Sequence, residues 1–132
     1  MRLTIVGSGD AFGSGGRFNT CFFLETAKGK LLVDCGASSL VALKAQGLDP
    51  NEVDGIVLSH LHGDHFGALP FLLMDAQFLM RRERPLLIAG PPGTRTRLDQ
   101  SLEVVLSEIQ HDQVAVPRLC VGRVRRNLSY SR

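Results

Sequence analysis

Three histidines and one aspartate fall within six consecutive positions, His60-Leu61-His62-Gly63-Asp64-His65. Imidazole nitrogens and a carboxylate are a donor set that Zn²⁺ accepts without thiolates, and Mn²⁺ or Fe can also be held by it. In an extended stretch, side chains two apart point the same way, so His60 and His62 can share one ion. Gly63 then allows a sharp reversal, after which Asp64 and His65 open a helix with their heads near the same spot and face a second ion. An exposed, inert loop is the competing reading; the density of ligand types in so short a segment weighs against it.

Such a cluster needs elements that hold it. Gly55 to Leu58 is apolar without alternation and reads as a fully buried strand. Strand, tight loop and helix start together place the cluster at the carboxyl end of a sheet, where open α/β folds bind ligands. Upstream, Arg2 to Val6 is a short strand running into a Gly-rich loop that lasts to Asn19. Thr20 to Glu25 and Lys30 to Val33 read as an antiparallel pair, because Thr26-Ala27-Lys28-Gly29 suits a hairpin turn with a residue at positive φ.

The spacing of Leu40, Val41 and Leu43 predicts a helix over Ser38 to Gln46, with Ser38 or Ser39 as N-cap and Gly47 just past its end. Asp49-Pro50-Asn51-Glu52 is a turn with Asp as cap and Pro at the first helical position. From Asp64 to Met80 the apolar residues cover most faces, which predicts a helix bent by Pro70 and packed deep in the body. Leu86 to Ala89 is a further strand, and Leu98, Leu102, Val105, Leu106 and Ile109 predict an amphipathic helix over Thr94 to Ile109.

Composition sets the bounds. With 44% hydrophobic and 21% charged residues in 132, the chain has the make-up of one folded domain rather than a disordered one. Its apolar runs are far shorter than the ~20 residues of a membrane span, and the N-terminus lacks a secretory apolar region, so the expectation is a cytoplasmic protein with no membrane segment. Cys21, Cys35 and Cys120 are widely spaced, which suggests neither a disulfide framework nor a cysteine zinc site. After Gln110 there are five Arg (118, 123, 125, 126, 132) against Asp112, leaving ten basic and twelve acidic residues elsewhere. That tail shows only Val114 to Val116 as strand-like and lacks a nucleic-acid motif, so it reads as solvated rather than as a nucleic-acid contact.

On these residues the chain resembles the metallo-β-lactamase superfamily, whose signature is His-x-His-x-Asp-His after an apolar strand and is matched without a gap from Ser59 to His65. It looks most like the ribonuclease Z and phosphodiesterase-like subgroup in Gly7-Ser8-Gly9, Arg17-Phe18-Asn19-Thr20, Leu32-Val33-Asp34-Cys35-Gly36, Gly67-Ala68-Leu69-Pro70 and Pro85 to Gly93. The likeness covers about residues 1–109, and 110–132 is expected to be a poorly ordered tail unrelated to the fold.

The resemblance implies an α/β fold, the N-terminal half of an αββα four-layer sandwich: a mixed sheet with helices on one face. It implies His60 and His62 on a first zinc, Asp64 and His65 on a second, and Asp34 holding the ligand loop by hydrogen bonds; a plain strand-end cap is the alternative for Asp34. It implies metal-assisted hydrolysis, with Asp64 guiding the proton of the attacking water.

The family's second half supplies another His for each metal and a bridging Asp. Beyond His65 the only histidine is His111, read here as an exposed tail residue rather than a ligand. A shortened chain would leave one apolar sheet face uncovered and prone to homo-oligomeric association. Three functions are therefore carried forward: a di-zinc phosphodiesterase of the ribonuclease Z type, acting on RNA or a cyclic nucleotide; an inactive, weakly metal-binding chain; and a hydrolase of thioester, lactone or β-lactam bonds.

Overall fold

The computed structural model describes residues 1–106 and 119–123. Their centre is a six-stranded mixed sheet whose spatial order is the order of the chain, β1 (Arg2–Gly7), β2 (Cys21–Thr26), β3 (Gly29–Val33), β4 (Gly55–Val57), β5 (Leu86–Gly90) and β6 (Leu119–Arg123). The first three strands form an antiparallel meander, and β3 to β6 run parallel. Gly29, at φ 148°, closes the β2–β3 hairpin in the backbone region that glycine supplies.

Parallel neighbours need crossovers, and helices make them. Helix α1 (Ser39–Ala45) joins β3 to β4, a pair of short helices, α2 (Gly63–Phe66) and α3 (Leu69–Met74), leads towards β5, and α4 (Thr94–Val105) follows β5. Ala42 and Leu43 of α1, Leu69, Leu72 and Leu73 of α3 and Leu98 of α4 form one buried cluster with Phe23, Leu32, Ile56 and Ile88 of the strands. All helices thus contribute to the core on one side of the sheet.

The opposite side is set by the period of two along each strand. Register places Leu3, Leu24 and Leu31 in one row and Ile5, Phe22, Val33 and Val57 in another. Leu3 is 58% exposed, Ile5 60% and Leu87 49%, so this face is apolar and open to solvent among the described residues. The α/β class with helices on one face of a mixed sheet agrees with the sequence.

Four local expectations are corrected. The helix expected from Asp64 to Met80 is broken: α2 ends at Phe66 with Gly67 as its C-cap, Pro70 stands in the first turn of α3 where its missing N–H costs nothing, and Asp75–Leu79 relaxes into a π-helical turn. Ser38 precedes α1 without capping it, because its hydroxyl is engaged with Asn19. Helix α4 ends at Val105 with Leu106 as its C-cap. Finally, Leu119–Arg123 pairs in parallel with β5 from Leu86↔Leu119 to Gly90↔Arg123. The fold therefore reaches past residue 109, because the open β5 edge offers a full set of backbone partners that a short segment can satisfy whatever its side chains. Val114 to Val116, Ile109 and His111 lie outside the described residues.

Arg82 fastens the stretch before β5. It is 3% exposed and donates from Nε to Arg84 O (2.9 Å), from Nη1 to Asn51 O (2.6 Å) and from Nη2 to Val53 O (2.8 Å) and Pro85 O (2.7 Å). Burial, and then the nearby Arg84, push its pKa below the ordinary arginine value. Four carbonyls receive one buried cation, in the place where a carboxylate would be expected.

Candidate metal centre

The parallel strands end along one edge of the sheet, and the site is built on that edge. Val33 and Val57 are paired partners, so the residues that follow, Asp34 after β3 and Leu58 to His62 after β4, leave the sheet side by side. Asp34 N donates to Val57 O at 2.9 Å and Leu58 N to Ala89 O at 2.7 Å, which extends the ladder by one step. The ligand segment thus departs from a fixed edge rather than from a free loop.

His62 is extended (φ −76°, ψ 154°) and stands at the N-cap of α2, with Gly63 and Asp64 in its first turn. His60, His62 and Asp64 bring one ligand atom each to within 4.8 Å of one another. The ring of His60 lies 4.9 Å from that of His62 and 3.9 Å from that of His65, centroid to centroid. His65 Nε2 is 3.3 Å from Asp64 Oδ2. All four residues singled out in the sequence therefore converge, the strand-loop-helix geometry serving as the reason.

Asp34 is the carboxylate that hydrogen-bonds this cluster from beneath. It is 4% exposed and sits at φ 60°, a left-handed conformation uncommon outside glycine that aspartate and asparagine tolerate best. Its Oδ1 accepts from Ser59 N (2.7 Å), and its Oδ2 accepts from Ser59 Oγ (2.8 Å) and lies 2.8 Å from His65 Nδ1. A carboxylate accepts from a ring N–H, so the Asp34 contact favours a proton on Nδ1 of His65 and turns Nε2 towards Asp64. Ser59 Oγ has spent its one proton on Asp34 and must accept from His60 Nδ1, 2.9 Å away, which leaves Nε2 of His60 bare as well. One carboxylate is thus hydrogen-bonded to His65 directly and to His60 through Ser59.

Two further residues make room for this arrangement. A Cβ on Gly36 would strike the carbonyl oxygen of Asp64 and the Cβ of Asn19, so only glycine lets the β3 loop pass beneath the ligand helix. Cys35 N donates to His65 O at 2.7 Å and Ala37 N to Gly63 O at 3.1 Å, stitching the two loops backbone to backbone. Asn19 ties the Gly-rich loop down: its Nδ2 donates to Asp10 O (2.7 Å) and its Oδ1 accepts from Ser38 N (3.0 Å).

Beside the cluster opens a recess of about 580 Å³, lined by Asn19, Leu61, His62, Asp64 and Arg97 among others. Ser59, Gly36 and Arg97 carry no role in the sequence reading. Ser59 adjoins the histidines and Gly36 adjoins Asp34, so adjacency pointed to both; Arg97 is distant in sequence and only the fold brings it near.

A mixed sheet with helices on one face, bearing a His-His-Asp group at the carboxyl edge of its parallel strands, is the metallo-β-lactamase fold. The short form of human tRNase Z superposes with a TM-score of 0.73 at 30% identity, over 92% of this chain and 43% of that one. Residues 1–123 match the family described as anti-Pycsar protein Apyc1, and the chain belongs to that family. It is 36% identical over 139 aligned positions to an anti-Pycsar protein Apyc1 of Saccharibacillus brassicae, covering 94% of this chain and 57% of that one. It is also 36% identical over 93 residues to a ribonuclease Z of Methanothermobacter thermautotrophicus, covering 70% of this chain and 30% of that one.

The chain thus spans about a third to a half of the curated relatives it matches. The family is one of enzymes, and the match runs to residue 123 rather than 109. No helix among the described residues is long and apolar enough to cross a membrane.

Proposed function

We propose that the chain carries the metal-binding half of a hydrolase that cleaves a phosphodiester, in RNA or a cyclic nucleotide, by the ribonuclease Z-like chemistry of its relatives. The observation that supports this most is the convergence of His60, His62 and Asp64, with Asp34 hydrogen-bonded to His65 and, through Ser59, to His60. An all-nitrogen and oxygen donor set of this kind suits Zn²⁺, with Mn²⁺ or Fe as substitutes.

His60 and His62 would hold one ion, and Asp64 and His65 a second. Metal held by these residues would supply Lewis-acid chemistry, a lowered pKa for a bound water and an offset to phosphoryl charge. The chain's own task is orientation: Asp34 fixes the imidazoles, and Gly36 sets the depth of the loop. Asp64 stands at the head of α2, where it can take up the proton of the attacking water.

The test is zinc per chain by elemental analysis together with turnover of bis(p-nitrophenyl) phosphate, with His62→Ala as the control. Bound zinc and turnover, both lost in His62→Ala, are the expected result; folded, metal-replete protein without turnover refutes it.

A further inference from the structure

Arg97, in the second turn of α4, faces two recesses at once. One is the polar recess of His62, Asp64 and Asn19. The other is an open groove of about 420 Å³ whose walls include Phe66, Pro70, Val104 and Val105. Leu61 and Gly63 line both, so the two are continuous and Arg97 stands at their junction.

Two features of this junction are unexplained by the fold. The first is the cation. Arg95 on the same helix pairs with Asp99 at 2.9 Å, Arg2 with Glu25, and Arg84 with Asp54, while Arg82 is spent on carbonyls. Arg97 has no side-chain partner among the described residues, although it borders a metal-binding cluster. The second is the exposed apolar wall: Val104 is 80% exposed and Val105 39%, in a helix whose core contact is Leu98. An unpaired guanidinium recognises a phosphate by two parallel charge-assisted hydrogen bonds, and a flat apolar wall beside it suits a planar ring.

We propose that Arg97 is the phosphate-positioning residue of a nucleotide subsite, with the nucleobase lying in the Phe66, Pro70 and Val104 groove and the phosphate directed to His62 and Asp64. The proposal deepens the phosphodiesterase reading and rests on it for the direction of the phosphate. Charge complementarity selects the occupant: one cation at the meeting of a polar and an apolar recess matches a ligand with an anion at one end and a ring at the other. No bond is made or broken at Arg97; it fixes where the phosphorus sits relative to the metal ligands.

The experiment is titration of the full chain with adenosine 5′-monophosphate, ribose 5-phosphate and adenosine, followed by chemical shifts of the backbone amides, with and without added zinc. Arg97→Ala should weaken the monophosphate and ribose 5-phosphate by about 10-fold or more, and leave adenosine unchanged. Val104→Asp should weaken adenosine and the monophosphate and leave ribose 5-phosphate unchanged. Arg97→Lys should recover part of the phosphate affinity but not all, since the bidentate fork is lost.

Both sites are exposed, so melting temperatures should stay at the parent value and exclude a folding explanation. Equal monophosphate affinity in parent and Arg97→Ala overturns the proposal, as does parent-like binding of adenosine by Val104→Asp. Failure of the metal reading has a different signature: no zinc in the parent chain, with the phosphate and base arms still responding to their own substitutions.

Discussion

Replacing Asp34 by asparagine isolates its control of the imidazoles from its backbone role. Asparagine is nearly isosteric and accepts the φ of 60° that most residues resist, so the turn after β3 should survive. In one amide orientation Oδ1 still accepts from Ser59 N, but Nδ2 now offers protons to His65 Nδ1 and Ser59 Oγ, where the carboxylate had accepted them. His65 must then carry its proton on Nε2, the atom beside Asp64. Ser59 Oγ becomes free to donate to His60 Nδ1, which drives that proton to Nε2 too.

In the flipped orientation the histidine contacts are kept. The Ser59 N–H then meets an N–H, and a partly buried donor is left without an acceptor at a cost of about 1–3 kcal/mol. Either way the penalty is of similar size, and outer-shell partners of metal-binding histidines are worth about 10–100-fold in affinity, roughly 1.4–2.7 kcal/mol. Competition for zinc against a chromophoric chelator reads the affinity, and thermal unfolding of the metal-free protein reads the fold. The expected result is zinc binding weakened about 10–100-fold with an unchanged metal-free melting temperature; zinc affinity within twofold of the parent would show that Asp34 does not set the tautomers.

Two other outcomes follow from buried groups. Arg82→Met removes the donor that four backbone carbonyls share, and is expected to destabilise the chain by about 3–5 kcal/mol in urea unfolding, with a loss under 1 kcal/mol counting against the clamp. Burial pushes the Cys21 thiol up to about 11 and Cys35 well above the usual value of 9. Because the folded thiols hold their protons more tightly than unfolded ones, stability is retained below pH 9 and lost as pH rises from 9 towards 11. Urea midpoints across that interval test the sign, and rapid alkylation of Cys21 or Cys35 in the native chain at pH 8 would contradict it.

The sequence by itself determined the candidate metal cluster, because it is local. His60, His62, Asp64 and His65 are brought together by the period of an extended segment and a single reversal at Gly63, and both follow from a handful of neighbouring residues. The hairpin at Gly29, α1 and the buried β4 strand were legible for the same reason: periodicity and turn chemistry act over a few positions; the helices on one face followed from the resemblance. Asp34 was marked by resemblance, but its command over two imidazoles depends on Ser59 and on β3 and β4 leaving the sheet together.

Only the tertiary structure decided the rest. The expected helix from Asp64 broke at Gly67 because loop stitching to Cys35 and Ala37 fixes where α2 must end, and Pro70 then fits a new first turn. Ser38 stands at the N-cap position but makes no side-chain cap, because its hydroxyl is engaged with Asn19, distant in sequence. Leu119–Arg123 became a strand because the β5 edge supplies backbone hydrogen bonds, which do not depend on the side chains from which strands are read. Arg97 reached the cluster because α4 crosses beside α2 and α3, and long-range packing of that kind leaves no mark in local spacing.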